Sequence, residues 1–381
     1  MQGRSPAKCT LPTACVRYVP FFTGYAIMCS IQQVQLAGGK VVVTATIEPT
    51  QYAQGGLRPM DPVRDLGRVA DLIANAFAAE IDERGRAALR EMRWMARLTP
   101  LLWWWAQADP SFQDTFNGFV WEEPTPEGTG LRIVANVSLS RAPGSRRRRI
   151  ICNVVVEDAY RGRGIGRRLV EAAIDEAQAL GAEGVLLQVH RDNTPALQLY
   201  TGLGFREVSG ETELRLGTVR PVVVQDAPGY RFRRWKAADG QAAYDLARRG
   251  TPPSQQWIRP LRRGDYHPDW LVRFGRWISE LLAGRRTWRL VALHEERLVA
   301  IMEVTAAFRQ GEHRLKLLVH PEHAGRLEAA MVSRALQMLS DLPSRAIRVP
   351  IDPDQKAILQ VLREYGFEEQ RTLLTMRKEF E

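Results

Sequence analysis

From residue 62 onward the apolar positions Leu66, Val69, Leu72, Ile73 and Phe77 recur at three- and four-residue intervals, which predicts a helix over 62–77. A second helix is predicted over 83–98. Strands are predicted over 115–122 and 131–140, where Ile133, Ala135, Val137 and Leu139 alternate with more polar neighbours. Pro-Gly within 142–145 marks a hairpin turn. Residues 150–156 are almost continuously apolar, the pattern of a strand central to a sheet. A glycine-rich turn at 161–166 then leads straight into a helix with an apolar face of Leu169, Val170, Ala173, Ile174 and Ala177, ended by Gly181. A strand over 185–190, a short helix over 195–201 with Pro195 at its start, and a last strand ending near Leu216 complete the set.

After a Pro- and Gly-containing linker the pattern restarts. Tyr230 opens an extended segment, helical stretches follow, and strands are predicted over 290–293, 298–308 and 315–319, then a helix over 327–340. The stretch from Val319 through Gly325 to Arg326 aligns without a gap on that from Val156 through Gly162 to Arg163. Gly366-Phe367 matches Gly204-Phe205. The offset is 163 residues between Val156 and Val319 and 162 between Gly204 and Gly366, a near-constant register that indicates a tandem duplication. The copies differ at a few telling positions: Arg161 faces Ala324, Gly164 faces Leu327, Gly166 faces Ala329 and Tyr200 faces Leu362.

A chain of 381 residues is long enough for about two domains. With 45% hydrophobic and 25% charged residues it falls in the soluble globular class. The expected organisation is a poorly ordered extension over 1–56, in part an upstream addition ahead of the native start, a first module over 57–217, a linker over 218–229 and a degenerate second module over 230–381. The fold class is mixed α/β, a mostly antiparallel sheet flanked by helices, present twice. The net charge of +10 is arginine-led. No nucleic-acid-binding signature accompanies it, so neither nucleic acid nor a membrane is expected as partner. Four cysteines, Cys9, Cys15, Cys29 and Cys152, show no metal-ligand spacing, so no metal is expected and a reducing cytoplasm fits.

The turn Arg161-Gly-Arg-Gly-Ile-Gly166 between a strand and a helix is the main chemical signal. Glycines allow positive φ and close approach of a ligand. The helix start presents unpaired N–H groups and the positive end of the dipole. Together they form a cradle for a pyrophosphate. The Gly-Lys-Ser/Thr of a P-loop is absent, and the turn does not open a βαβ series as a dinucleotide fingerprint does.

These residues, with Asn193-Thr-Pro-Ala196-Leu-Gln-Leu199-Tyr200 and then Gly204-Phe205, resemble the GNAT superfamily of acetyltransferases. The resemblance covers 57–217 well and 230–381 as a degenerate copy. It implies an acyl-CoA-dependent N-acyltransferase, with acetyl-CoA as the expected co-substrate. The acceptor would be a small-molecule or peptide amine that attacks the thioester directly in a ternary complex, and the chain a monomer or homodimer. It also implies that Val154, Val155 and Val156 line the pantetheine arm, with the Val156 N–H as oxyanion donor. Arg161, Gly162, Arg163, Gly164, Ile165, Gly166 and Arg167 would hold the pyrophosphate. Asn193 would touch the cofactor, and Tyr200 would protonate the leaving thiolate. A non-catalytic acyl-CoA sensor or scaffold is the alternative, and a role in thiol-cofactor biosynthesis is a third reading.

Other polar residues read as structural. Glu122, Glu123, Glu157 and Asp158 read as solvated strand ends rather than a general base. His190 is expected to serve a structural hydrogen bond and Cys152 to be core. The run Arg146 to Arg149 is expected to be a solvated hairpin end, and Trp103 to Trp105 to pack a loop on the core.

Overall fold

The structure is a computed structural model, and it describes residues 55–78, 83–97, 117–125, 130–142, 145, 147–258 and 260–380. The extension over 1–54, the three tryptophans at 103–105, and the first residues of the strand expected from 115 lie outside the described residues.

The first half runs β1 (Gly56–Pro59), α1 (Pro62–Ala76), α2 (Glu83–Arg97), β2 (Gly118–Pro124), β3 (Leu131–Arg141), β4 (Arg148–Val156), α3 (Ile165–Ala179), β5 (Gly184–His190), α4 (Thr194–Gly202) and β6 (Arg206–Leu216). The second half runs β7 (Tyr230–Arg234), α5 (Gly240–Gly250), α6 (Pro253–Ile258), α7 (Arg263–Tyr266), α8 (Trp270–Leu282), β8 (Arg285–His294), β9 (Arg297–Ala307), β10 (His313–Val319), α9 (Glu328–Ser340), β11 (Ile347–Ile351), α10 (Lys356–Glu364) and β12 (Glu368–Glu379). The periodicities thus locate the elements, with ends shifted by a few residues. β8 begins five residues before the expected Leu290.

All twelve strands form one sheet, in the order β1-β2-β3-β4-β5-β12-β6-β11-β10-β9-β8-β7. Each half supplies a meander of antiparallel strands and one parallel pair, β4 with β5 and β10 with β11. The halves exchange their last strands. β12 lies between β5 and β6, and β6 lies between β12 and β11. The exchange reaches the cores. Leu374 and Met376 of β12 are buried in the first half's core with Leu169, Leu187 and Phe205. Leu214 of β6 is buried in the second half's core with Met302, Leu315 and Met331.

Two polar features depart from the expectations. Glu122 is 2% exposed, not a solvated strand end. It accepts from Arg58 at 2.7 Å and from Arg64 at 2.9 Å, while Arg58 also holds Asp65 through two bonds of 2.6 and 2.8 Å. This network ties β1, α1 and β2 together. The hydrogen bond from Arg58 is the main cause that keeps the Glu122 carboxyl below its ordinary range, against the opposing effect of burial. In the arginine run Arg147 is exposed as expected and Arg146 lies outside the described residues, but Arg148 and Arg149 are not solvated. Arg149 is 4% exposed, and Arg148 stacks at 4.0 Å over the ring of Trp257 and donates to its carbonyl. Arg377 of β12 covers the same ring at 4.7 Å, so these cations dock α6 of the second half onto the first.

The exchange makes a definite prediction. Leu374→Ala removes a buried side chain from the first half's core and should cost about 2–5 kcal/mol. Hydrogen exchange should then accelerate in α3 more than in α9, although Leu374 belongs to the second half of the sequence. Lost protection in α9 with α3 unchanged would contradict the exchange.

Candidate active site

β4 pairs in parallel with β5 over only three positions, Arg148↔Gly184 to Ile150↔Leu186. Beyond Ile150 no further pairs form, and the two strands separate. The cause lies on the other edge of β4. Its register with β3 passes from Ser138↔Cys152 to Asn136↔Val155, so β4 carries one extra residue. Asn153 has φ of +52°, a left-handed conformation that asparagine tolerates better than most residues. The bulge is pinned by side chains. Asn136, fully buried, donates Nδ2 to the Asn153 carbonyl at 3.0 Å, and Asn153 Nδ2 donates to Ser138 Oγ at 3.3 Å.

The bulge sets which backbone groups are spare. Glu157 donates its N–H to Val134 of β3 at 2.9 Å. Alternation along the strand then turns Val155 toward β3 and Val154 and Val156 toward the gap beside β5. The Val156 carbonyl, on that open side, accepts from Arg161 Nε at 3.2 Å. Cys152 is half-buried at the start of the separation, rather than a core residue as expected from sequence.

The glycine turn sits at the end of this gap. Gly162 and Gly164 both have φ of +76°, and a Cβ built on either would meet no protein atom within 4 Å. Their need is conformational, and the space over them is open. Gly164 caps α3 with no side-chain hydrogen bond. Arg168 N–H bonds to the Gly164 carbonyl at 3.1 Å, which leaves the N–H groups of Ile165, Gly166 and Arg167 without intrahelical partners. Gly166 has a different role. A Cβ there would touch Val156 Cγ2 at 3.6 Å and Leu199 Cδ2 at 3.8 Å, so this glycine lets α3 lie close to the end of β4 and to α4. Arg161, Arg163 and Arg167 surround the turn. Arg161 pairs with Asp158 at 2.7 Å, Arg163 lies 4.8 Å from the Tyr160 ring centre, and Arg167 pairs with Glu171 at 2.9 Å. All three arginines are exposed.

Tyr200 on α4 is 6% exposed and packs edge-on against Phe205 at 5.9 Å. Its neighbours in the same core include Val154, Val156 and Leu199. Burial pushes its phenol up to about 12. Asn193 is exposed and caps α4, its Oδ1 accepting the Ala196 N–H at 3.2 Å. His190 ends β5, where its carbonyl accepts the Asn193 N–H at 3.0 Å. Glu157 pairs with Arg132 at 2.7 Å, Glu123 accepts from Trp121 Nε1 at 2.8 Å, and Asp158 is exposed. The fold therefore brings Val154, Val156, the 161–167 turn and Tyr200 to the gap where β4 and β5 separate. Asn136, Ser138 and Asn153, which shape that gap, were not singled out from sequence. The signal available was three short polar side chains inside otherwise apolar strands.

The equivalent turn in the second half is closed. Glu328, 3% exposed, folds its carboxylate back to accept the N–H of Gly325 at 2.8 Å and of Leu327 at 3.1 Å. With the 163-residue offset these are the counterparts of Gly162 and Gly164, and Glu328 is the counterpart of Ile165. The second half fills its own anion cradle.

The chain is similar to known acetyltransferases in part of its sequence and in its fold. Residues 78–205 match the acetyltransferase (GNAT) family. A 60-residue stretch is 43% identical to N-alpha-acetyltransferase 30 of Saccharomyces cerevisiae, covering 16% of this chain and 34% of that protein. A 52-residue stretch is 48% identical to mycothiol acetyltransferase of Corynebacterium glutamicum, covering 14% of this chain and 18% of that one. The matched region thus spans about a third or less of these relatives. The solved structure of a GCN5-related N-acetyltransferase from Sphaerobacter thermophilus superposes over 85% of this chain and 95% of its own, with a TM-score of 0.54 and 19% identity, a likeness of fold that extends through both halves. Residues 78–205 therefore carry a domain of the acetyltransferase (GNAT) family. Among the described residues no helix is long and apolar enough to cross a membrane.

The buried phenol yields a test that needs no ligand. An unfolded tyrosine loses its proton near pH 10, whereas folded Tyr200 keeps it to about 12. Stability contributed by this group is complete below pH 10 and lost as pH rises through 12. Tyr200→Phe should therefore remove about 2–3 kcal/mol of the alkaline fall in stability over that window, read by denaturant unfolding at stepped pH. Parallel profiles for the two proteins would show that Tyr200 is not held protonated by burial.

Proposed function

We propose that this protein is an acyl-CoA-dependent N-acyltransferase, with acetyl-CoA as donor and a primary amine as acceptor, working from one site in the first module. The observation that carries the reading is the coincidence, at one gap between neighbouring strands, of an open glycine cradle, spare backbone groups beside the separation and a buried tyrosine. The site fits an acyl-CoA. Open space over Gly162 and Gly164 and the free N–H groups at the start of α3 suit a pyrophosphate, with Arg161, Arg163 and Arg167 adding charge. The spare groups of Val154 and Val156, with Val155 between them, suit the amides of a pantetheine arm. Asn193 would add a contact through its Nδ2, since its Oδ1 is engaged in the cap.

When bound, the thioester supplies an activated carbonyl. The Val156 N–H, fixed by the bulge at Asn153, donates to the oxygen as negative charge builds there. Tyr200 holds a proton at Oη throughout the neutral range, because burial disfavours its phenolate, and so is equipped to deliver it to a departing thiolate. The incoming amine attacks directly and must arrive neutral. Glu122 is a poor base for it: its carboxylate already accepts from Arg58 and Arg64, and the hydrogen bond from Arg58 lowers its proton affinity. No covalent acyl-enzyme is required.

Two substitutions test this against a non-catalytic acyl-CoA sensor. Tyr200→Phe should lower turnover, followed by thiol release with amine acceptors, by about 100-fold or more while leaving acetyl-CoA affinity within a few-fold. Gly164→Glu, which strains a positive φ and puts a carboxylate in the cradle, should abolish acetyl-CoA binding with the fold retained. Unchanged turnover in Tyr200→Phe would remove the phenol from the mechanism. Undiminished binding in Gly164→Glu would remove the cradle from the site.

A further inference from the structure

Helix α8 is inside out. Seven of its large apolar side chains, from Trp270 to Leu282, are 37% to 75% exposed. The half-buried positions are instead Val272, Gly275, Arg276, Ser279 and Glu280, and Arg276 acts on the buried carboxylate of Glu303. At about 100° per residue the seven exposed positions form one continuous stripe about 140° wide, aimed away from the sheet. Phe274 and Trp277 stack on each other within it, ring centres 5.9 Å apart. Phe308, 39% exposed, extends the stripe, since its N–H bonds to the Gly284 carbonyl just past the end of α8. The acyltransferase site uses none of these residues.

We propose that this stripe is the interface of a homodimer in which α8 of one copy packs antiparallel on α8 of another, about a two-fold axis level with Arg276. Six of the seven exposed apolar positions fall in pairs about that residue. Trp270 and Leu282 are equally distant from it, as are Leu271 and Leu281, and Phe274 and Ile278. A two-fold axis brings each member of such a pair opposite the other in the second copy, which is the self-complementarity an isologous contact requires. Trp277, one residue from the axis, comes beside its own copy.

The charges obey the same symmetry. Arg273 and Glu280 lie on one flank of the stripe, seven residues apart and so on nearly the same bearing. Across the axis Arg273 of one copy falls within about one residue rise, ~1.5 Å, of the level of Glu280 in the other. Among the described residues neither side chain has an ion-pair partner in its own chain. A parallel pairing would put Arg273 of one copy and Glu280 of the other on opposite flanks, out of reach of each other. An anionic lipid surface would leave Glu280 facing like charge, so the flank favours a second copy. The area is also sufficient in kind: seven large apolar side chains, each presenting on the order of 100 Å², supply most of the roughly 800 Å² per partner of a stable interface.

Sedimentation of the full-length chain across the micromolar range tests this. The expected result is a reversible dimer for the wild type. Trp277→Glu and Leu281→Glu should each weaken it by more than tenfold, with far-ultraviolet dichroism and the unfolding of the monomer at low protein concentration unchanged because both side chains are exposed. Arg273→Glu should weaken it several-fold, and adding Glu280→Arg should restore it, a rescue that a merely sticky surface would not show. A wild type that stays monomeric, a dimer indifferent to Trp277→Glu, or a monomer that instead binds phosphatidylglycerol vesicles through this helix would each overturn the proposal.

Discussion

The first turn of an α-helix leaves backbone N–H groups without intrahelical partners, and buried polar groups of that kind must find acceptors elsewhere. The two halves of this chain meet that constraint at matching places and resolve it in opposite ways. At the start of α9 the Glu328 carboxylate turns back onto Gly325 and Leu327 and satisfies the donors internally. At the start of α3 the matching position is Ile165, Gly164 offers no side chain, and the donors face open space. A single exchange of side chain thus separates a sealed turn from one whose donors are left open. The loss of glycines at Leu327 and Ala329 accompanies this difference, but the carboxylate is what occupies the cradle.

The open turn would do little without the bulge on the neighbouring strand. Asn153 inserts one residue into β4, Asn136 and Ser138 hold it there, and β4 leaves β5 after Ile150. Backbone groups that a regular sheet would consume become available at Val154 and Val156, next to Tyr200. The opposite side of β5 is closed by β12, a strand from the far end of the chain. The second half therefore braces the candidate site physically. Its last strand contributes Leu374 and Met376 to the core beneath α3, and its Trp257 is clamped between Arg148 and Arg377.

Much of this was legible in the sequence, and the reasons for the rest are specific. Helical and strand periodicity located the elements, the near-constant offset between Val156/Val319 and Gly204/Gly366 exposed the duplication, and the glycine turn at 161–166 lies between a strand and a helix as the pattern predicted. The strand exchange was not legible, because β6 and β12 carry similar alternating patterns and nothing local distinguishes which neighbour each will pair with. The bulge depends on φ at one residue, and an asparagine in a strand does not announce it. Glu122 and Arg149 read as solvated because charged residues at strand ends usually are. Glu122 is held by Arg58, and Arg148, beside Arg149, is covered by Trp257, partners distant in sequence. Glu328 reads as an ordinary acidic residue complementing a helix dipole, and its capture of two turn N–H groups is visible only in three dimensions.

The central claim is that duplication left two cradles of which one is open. Calorimetric titration of the full-length protein with acetyl-CoA tests it most directly. One saturable site per chain is the predicted result, with Glu328 holding the second turn closed. Two sites per chain would contradict the sealing of that turn. No binding at all would contradict the reading of the first turn as a phosphate cradle.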